Sequence, residues 1–212
     1  MSVAVISANL GGYDAHSPEP HIPQNVLDVA YYHFTSEDLP PRKALSLRLQ
    51  AKIPKMFGWQ LCPNHDAYIW LDAPMSFSRP DSVEWFVEQV GNHADIALFR
   101  HPNRRTVIEE AAHLQVMLDK GDPYTVDKYA GEDIDGQLAA LGPVDDCLFA
   151  AGAFCYRPTA AVQQAMREWW YHVSRFHVDD QLSLPHVLRA CRVAVIDENI
   201  YKGSRVAFGA TS

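Results

Sequence analysis

Apolar residues follow two alternating patterns along the chain. Short, nearly continuous runs occur at Val3–Leu10, Val29–Ser36, Ala67–Leu71, Asp95–Arg100, Leu148–Tyr156 and Val193–Ile196, rich in Val, Ile, Phe and Tyr. Such runs predict strands covered on both faces. Between several of them, apolar positions recur at helical spacing: Leu45, Leu49, Ile53; then Val83, Phe86, Val87, Val90; then Val107, Ala111, Leu114, Leu118. Each set forms one stripe of an amphipathic helix. A fourth helix, over roughly 160–176, carries Val162, Met166, Trp169, Val173 and Phe176 on one side. Pro80 and Asp81, with Glu84 three residues on, predict a capped start for the second helix, and the third runs out into Lys120 and Gly121. Strands alternating with helices indicate an α/β fold with a mixed, mainly parallel sheet in a single domain over 1–212. The polar stretch 121–142 reads as a long surface excursion.

Composition narrows the function classes. The chain has 212 residues, 48% hydrophobic and 21% charged, as expected of a globular protein with a real core. With 18 Lys and Arg against 26 Asp and Glu the formal charge is −8, which disfavours a nucleic-acid or anionic-lipid partner. Four scattered cysteines with no C-x-x-C pair argue against a zinc cluster or a disulfide scaffold and fit a reducing compartment. The first residues begin a strand without the basic flank and longer apolar core of a signal peptide, and no apolar run reaches membrane-spanning length. These features lead to the expectation of a cytoplasmic protein without a membrane span.

Polar groups cluster where predicted strands end, the position at which open parallel sheets bind ligands. Asp72 follows the run AYIWL and either holds a metal or substrate hydroxyl or caps the turn made by Ala73 and Pro74. Gly11 and Gly12, followed by Tyr13, close the first strand; adjacent glycines allow backbone N–H groups to approach a phosphate, but also serve an ordinary turn. Arg48 and Lys52 share a helix face, suited to a diphosphate or to water alone. Arg100, His101, Arg104 and Arg105 with Glu109 and Glu110 crowd one strand-to-helix junction, and Asp179, Asp180 and Gln181 stand at a helix start, where an acid is also a cap.

The order of these segments carries more than any one of them. VISANLGGYD, YYHFTSED, YIWLDAPMSF, FRHPNRRTVIEEA, FAAGAFCYRPT and EWWYHVSRFHVDDQLSL together resemble the hexosyltransferase-like glycosyltransferase domain family of plant mucilage and cell-wall proteins and bacterial relatives. That family is similar in turn to family-8 glycosyltransferases. The resemblance spans roughly residues 3 to 190 and implies a GT-A-like, Rossmann-like fold that moves a hexose from a nucleotide-sugar, by analogy a UDP-sugar with retention, to a hydroxyl of a glycan, lipid, protein or modified base. It further implies that Gly11, Gly12, Tyr13, Thr35, Ser36, Asp72, His101 and Arg104 surround the donor, and the helix face of Arg48 and Lys52 is expected to bind the donor with them. Asp180, Gln181 and Glu110 would act near the transferred sugar, and Asp72 would bind manganese or magnesium as the first acid of a D-x-D element.

Two departures stand out. The second acid of D-x-D is replaced by Pro74, and the C-terminal segment IDENIYKGSRVAFG offers Lys202 and Arg205 but no histidine. The expected metal therefore lacks one ligand, and cations could replace it. The competing reading is a catalytically degenerate nucleotide-sugar or carbohydrate-binding domain. A D-x-D phosphohydrolase is disfavoured by the same missing acid.

Overall fold

The computed structural model describes residues 1–12, 22–25, 28–142, 147–177, 179–203 and 205–209. Tyr13, one of the expected donor residues, lies outside them. All six expected strands form: β1 (Val3–Ala8), β2 (Val29–Phe34), β3 (Ala67–Leu71), β5 (Ile96–Arg100), β6 (Phe149–Tyr156) and β7 (Val193–Ile196). They make one sheet in the order β2-β1-β3-β6-β5-β7. Pairing is parallel except along β6, which runs antiparallel to both β3 and β5. The sheet is thus mixed and mainly parallel. A further short pair, β4 (Met75–Phe77) with β8 (Val206–Phe208), is too brief to register in the sequence pattern.

Alternate residues of the strands face two apolar layers, which explains why the runs are nearly continuous. Ala4, Ile6, Tyr68, Trp70, Leu98, Phe154 and Tyr156 pack under the helices α1 (Leu47–Leu61), α6 (Ala160–Arg175) and α7 (Asp180–Val187). Val3, Val5, Ile69, Leu71, Phe99 and Cys155 face the opposite way, onto α2 (Ser82–Val90), β4 and β8. The stripe Val162, Met166, Trp169 and Val173 of α6 is buried as expected, each such side chain stabilising the fold by about 1.5–3 kcal/mol relative to exposure.

Two local features set the position of α1. The side chain of Ser46 caps it by accepting from the Leu49 N–H at 3.1 Å. Gly58 lets it lie close over β1, because a Cβ there would stand 2.3 Å from Ile6 Cδ1. The helix contains Pro54 and departs from helical backbone angles at Phe57. It carries Lys55, buried, toward the end of β3.

Two expectations change, and one left open is settled. The stretch 121–142 is not an irregular excursion. After α3 (Val107–Asp119) it folds into α4 (Pro123–Tyr129) and α5 (Ile134–Leu141), capped by Asp122 and Asp133. Asp122-Pro123 is a cap followed by a first-turn proline, a start signal masked by the polar composition around it. At α2, Asp81 makes no side-chain capping bond; it pairs with Arg79 and Arg205, and Gln24 Oε1 accepts the Val83 N–H instead. At α7 the cap is Asp179, whose Oδ1 accepts from the Gln181 N–H at 3.2 Å. Asp180 is therefore left for other contacts.

Candidate active site

The carboxyl ends of β1 and β3 open into a cavity of about 300 Å3. Asn9 and Leu10 follow β1 along its floor, Asp72, Ala73 and Pro74 follow β3, and α1, α4 and the start of α7 form its walls. Burial of the flanking strands fixes these ends rigidly. Asp72 is held on three sides. Its backbone N–H donates to the Gly152 carbonyl at 2.7 Å, its Oδ1 accepts from the Trp70 indole at 2.7 Å, and Lys55 Nζ lies 3.3 Å from the same oxygen. Gly152 leaves room for the arrangement, since a Cβ there would meet Met75 Cε at 2.7 Å and Asp72 Oδ2 at 3.3 Å.

Charge in the cavity is organised around Lys55 and Asp180. Lys55 Nζ and Lys52 Nζ both approach Asp180 Oδ2 at 2.5 Å. Burial alone would lower the Lys55 pKa, but the carboxylates of Asp180 and Asp72 outweigh it and raise it. Burial likewise works against ionised Asp180, and the two lysines overcome it, holding that carboxyl at about 2. Lys55 also stands 5.5 Å from the Trp70 ring and 5.8 Å from that of Trp169, whose indole N–H donates to the Asp180 carbonyl oxygen at 2.8 Å.

The neighbouring Asp179 behaves oppositely. Burial, then the nearby carboxylates of Glu110 and Asp180, pushes it up to about 7. Its Oδ2 is buried without a hydrogen-bond partner among the described residues. His177, pushed down to about 4 by burial, accepts the Asp179 N–H at Nδ1 and stacks on Tyr129 at 4.9 Å. Adjacent acids thus occupy opposite protonation regimes, one fixed by cations and one disfavoured as an anion.

The expected site residues divide into two groups. Arg48, Lys52, Asp72, Asp180 and Gln181 all line the cavity. Arg48 also reaches across its mouth to Asp127 on α4 at 3.1 Å. Gly11, Gly12, Thr35 and Ser36 sit beside the end of β1 without lining it: Ser36 Oγ accepts the Gly11 N–H at 2.8 Å, and Thr35 is occupied with Asp38. His101, Arg104 and Glu110 likewise stand off the cavity. Glu110 is buried in an ion pair with Arg104, and His101 Nδ1 accepts the Arg104 N–H at 3.0 Å. Their connection to the cavity is electrostatic, through Glu110 to Asp179.

Lys55, Trp70, Asp179, Tyr124, Lys128, Tyr129 and Tyr201 also line the cavity and were not among the expected site residues. One signal could have found Lys55: it follows Arg48 by seven positions and Lys52 by three, extending the same helix face. The two C-terminal cations do not take this role, for Arg205 pairs with Asp81 under the sheet and neither it nor Lys202 lines the cavity.

The residues around Asp72 do not fit a divalent ion of the D-x-D kind. Hard cations need several oxygen ligands. Here one acid precedes Pro74, and its Oδ1 is engaged by an indole N–H and an ammonium.

Residues 43–204 match the family described as TOD1/MUCI70, glycosyltransferase-like domain. The chain belongs to this family. No curated protein matches it. Among solved structures it is similar to the WbbM bifunctional glycosyltransferase, at 14% identity and a TM-score of 0.54 over 92% of this chain and 38% of that one. It is also similar to a glycosyltransferase involved in the glycosylation of the major capsid of PBCV-1, at 9% identity and a TM-score of 0.48 over 93% and 82% of the two chains. Members of the TOD1/MUCI70 family share a glycosyltransferase-like domain, and the WbbM likeness extends to the layered, GT-A-like α/β architecture described above. Among the described residues no helix is long and apolar enough to cross a membrane.

Proposed function

We propose that this domain transfers a hexosyl group from a nucleotide-sugar, with UDP as the nucleotide, to a hydroxyl acceptor. The observation that carries the reading is the convergence of Arg48, Lys52 and Lys55 from one helix on a cavity at the carboxyl ends of β1 and β3. In glycosyl transfer the bond from the anomeric carbon to the diphosphate breaks, its electron pair leaves with the diphosphate oxygen, and the acceptor oxygen forms the new bond. The products are a glycoside, a nucleoside diphosphate and the hydroxyl proton. The main electrostatic demand is stabilisation of charge growing on the leaving diphosphate, which preorganised cations in a sheltered site supply.

Asn9, Leu10 and the turn at Gly11 and Gly12 flank the side of the cavity suited to the nucleoside. Asp72, fixed by Trp70, and Gln181 offer an acceptor and a donor to sugar or ribose hydroxyls. Asp180 orients both lysines. Glu110, with His101 and Arg104 behind it, bears on the site by raising the pKa of Asp179.

The test is turnover of a panel of nucleotide-sugars with simple hydroxyl acceptors, reading nucleoside diphosphate release and glycoside formation by mass. Formation of a glycoside supports the reading. Saturable donor binding with no turnover across donors and acceptors would leave the binding-domain alternative, which the missing second acid at Pro74 favours.

A further inference from the structure

Two ammonium groups share one carboxylate oxygen in this cavity. Lys52 and Lys55 both stand 2.5 Å from Asp180 Oδ2, and Lys55 continues to Asp72 at 3.3 Å. A buried cation spanning two carboxylates occupies the kind of position that a divalent ion takes in a two-acid site. Lys55 is buried to 2% side-chain exposure and packed by two indoles, so it has little freedom to swing aside for an ion. Arg48 on α1 and Lys128 on α4 add positive charge to the lining. Against these four cations stand Asp72, Asp180 and, at the mouth, Asp127 paired with Arg48, while Asp179 resists ionisation. The balance favours a bound anion.

We infer that Lys52 and Lys55, with Arg48, hold the donor's diphosphate in place of a divalent ion, so that nucleoside diphosphate binds this domain without metal. This rests on the nucleotide-sugar reading above and adds the means of charge neutralisation to it. Lys55 takes the place between Asp72 and Asp180. Lys52, with 18% side-chain exposure against 2% for Lys55, is the accessible partner that turns from Asp180 toward the phosphates. A lysine ammonium is a compact charge suited to phosphate, and its hydrogen bonds to an ionised oxygen are about twice as strong as neutral ones.

The experiment is calorimetric titration of the full chain with UDP, and in parallel with GDP, CDP and ADP, in EDTA and in manganese. Nucleotide affinity is read rather than metal uptake, because Glu168, His172 and His186 bring ligand atoms within 4.8 Å of one another elsewhere, on α6 and α7. The expected result is a UDP Kd in EDTA within about threefold of that in manganese, weakened at least about tenfold by Lys52→Gln and not recovered by the metal. Lys55→Met is the second variant; Lys52→Gln, at a more exposed position, keeps the test valid if Lys55→Met fails to fold. Binding that requires manganese, or that Lys52→Gln leaves unchanged, would overturn the inference while retaining the nucleotide-sugar reading. Failure of all four nucleotides to bind in either condition would instead overturn that reading and the inference with it.

Discussion

Trp70 of β3 donates its indole N–H at 2.7 Å to Oδ1 of Asp72, which stands two positions on, just past the end of the strand. Strand geometry puts both side chains on one face, so a core residue fixes the orientation of a partly exposed acid. Asp72→Asn keeps an oxygen for the indole and removes the charge that faces Lys55. We expect stability to change by less than about 1 kcal/mol and kcat/KM to fall about tenfold or more. Steady-state kinetics with urea unfolding check both, and wild-type kinetics would reduce Asp72 to a turn residue.

Asp180→Asn should behave differently, because Asp180 is not the helix cap. Removing it leaves the buried Lys55 with only the longer contact to the half-exposed Asp72, and breaking a buried pair costs about 3–5 kcal/mol. Adding Lys55→Met should restore much of that loss, while turnover stays absent in both variants. Urea midpoints of the single and double variants measure the recovery; equal destabilisation in the two would remove the Lys55–Asp180 pair as the cause.

The raised pKa of Asp179 makes a prediction about pH. Its folded value of about 7 lies above the roughly 3.9 of an unfolded aspartate, so its contribution is full at acid pH and is lost as pH rises through 7. Asp179→Asn retains an oxygen for the Gln181 N–H and does not titrate. Relative to the parent, this variant should gain stability between pH 5 and about 8, as compared from urea midpoints at the two values. A parallel pair of curves would mean that Asp179 ionises normally.

Gly11 and Gly12 both have positive φ, at 67° and 62°, yet they face different neighbours. An alanine at either should cost about 1–2 kcal/mol from backbone strain. At Gly11 the new Cβ would also stand 2.4 Å from Leu47 Cδ1, driving that side chain into the cavity it lines, whereas at Gly12 no atom of the described residues lies within 4 Å. Gly11→Ala should therefore raise the donor KM and Gly12→Ala should not. Equal KM values would show that Leu47 moves elsewhere.

The layered sheet was legible because its strands are buried on both faces and so leave continuous apolar runs, and because Arg48 and Lys52 keep helical spacing. Other parts left weaker traces. β4 and β8 pair residues far apart in sequence and have only three positions each. Burial of Lys55 depends on where α1 crosses β3, a tertiary fact that makes a lysine in an apolar helix look like a solvated one. Asp179 and Asp180 could not be separated by type; their roles differ because one points to the Gln181 N–H and the other to two ammonium groups.

The pairing of β8 with β4 has a consequence for truncation. The main sheet is complete once Ile196 is available, but Phe208 and Tyr201 wall the cavity, and the Gly209 N–H secures the Pro74 carbonyl at 2.7 Å. A chain cut after Ile196 keeps every strand of the main sheet but loses Ile200 and Val206 from the layer beneath it and leaves the pocket open along that side. Competence for the ligand thus depends on a segment outside the main sheet.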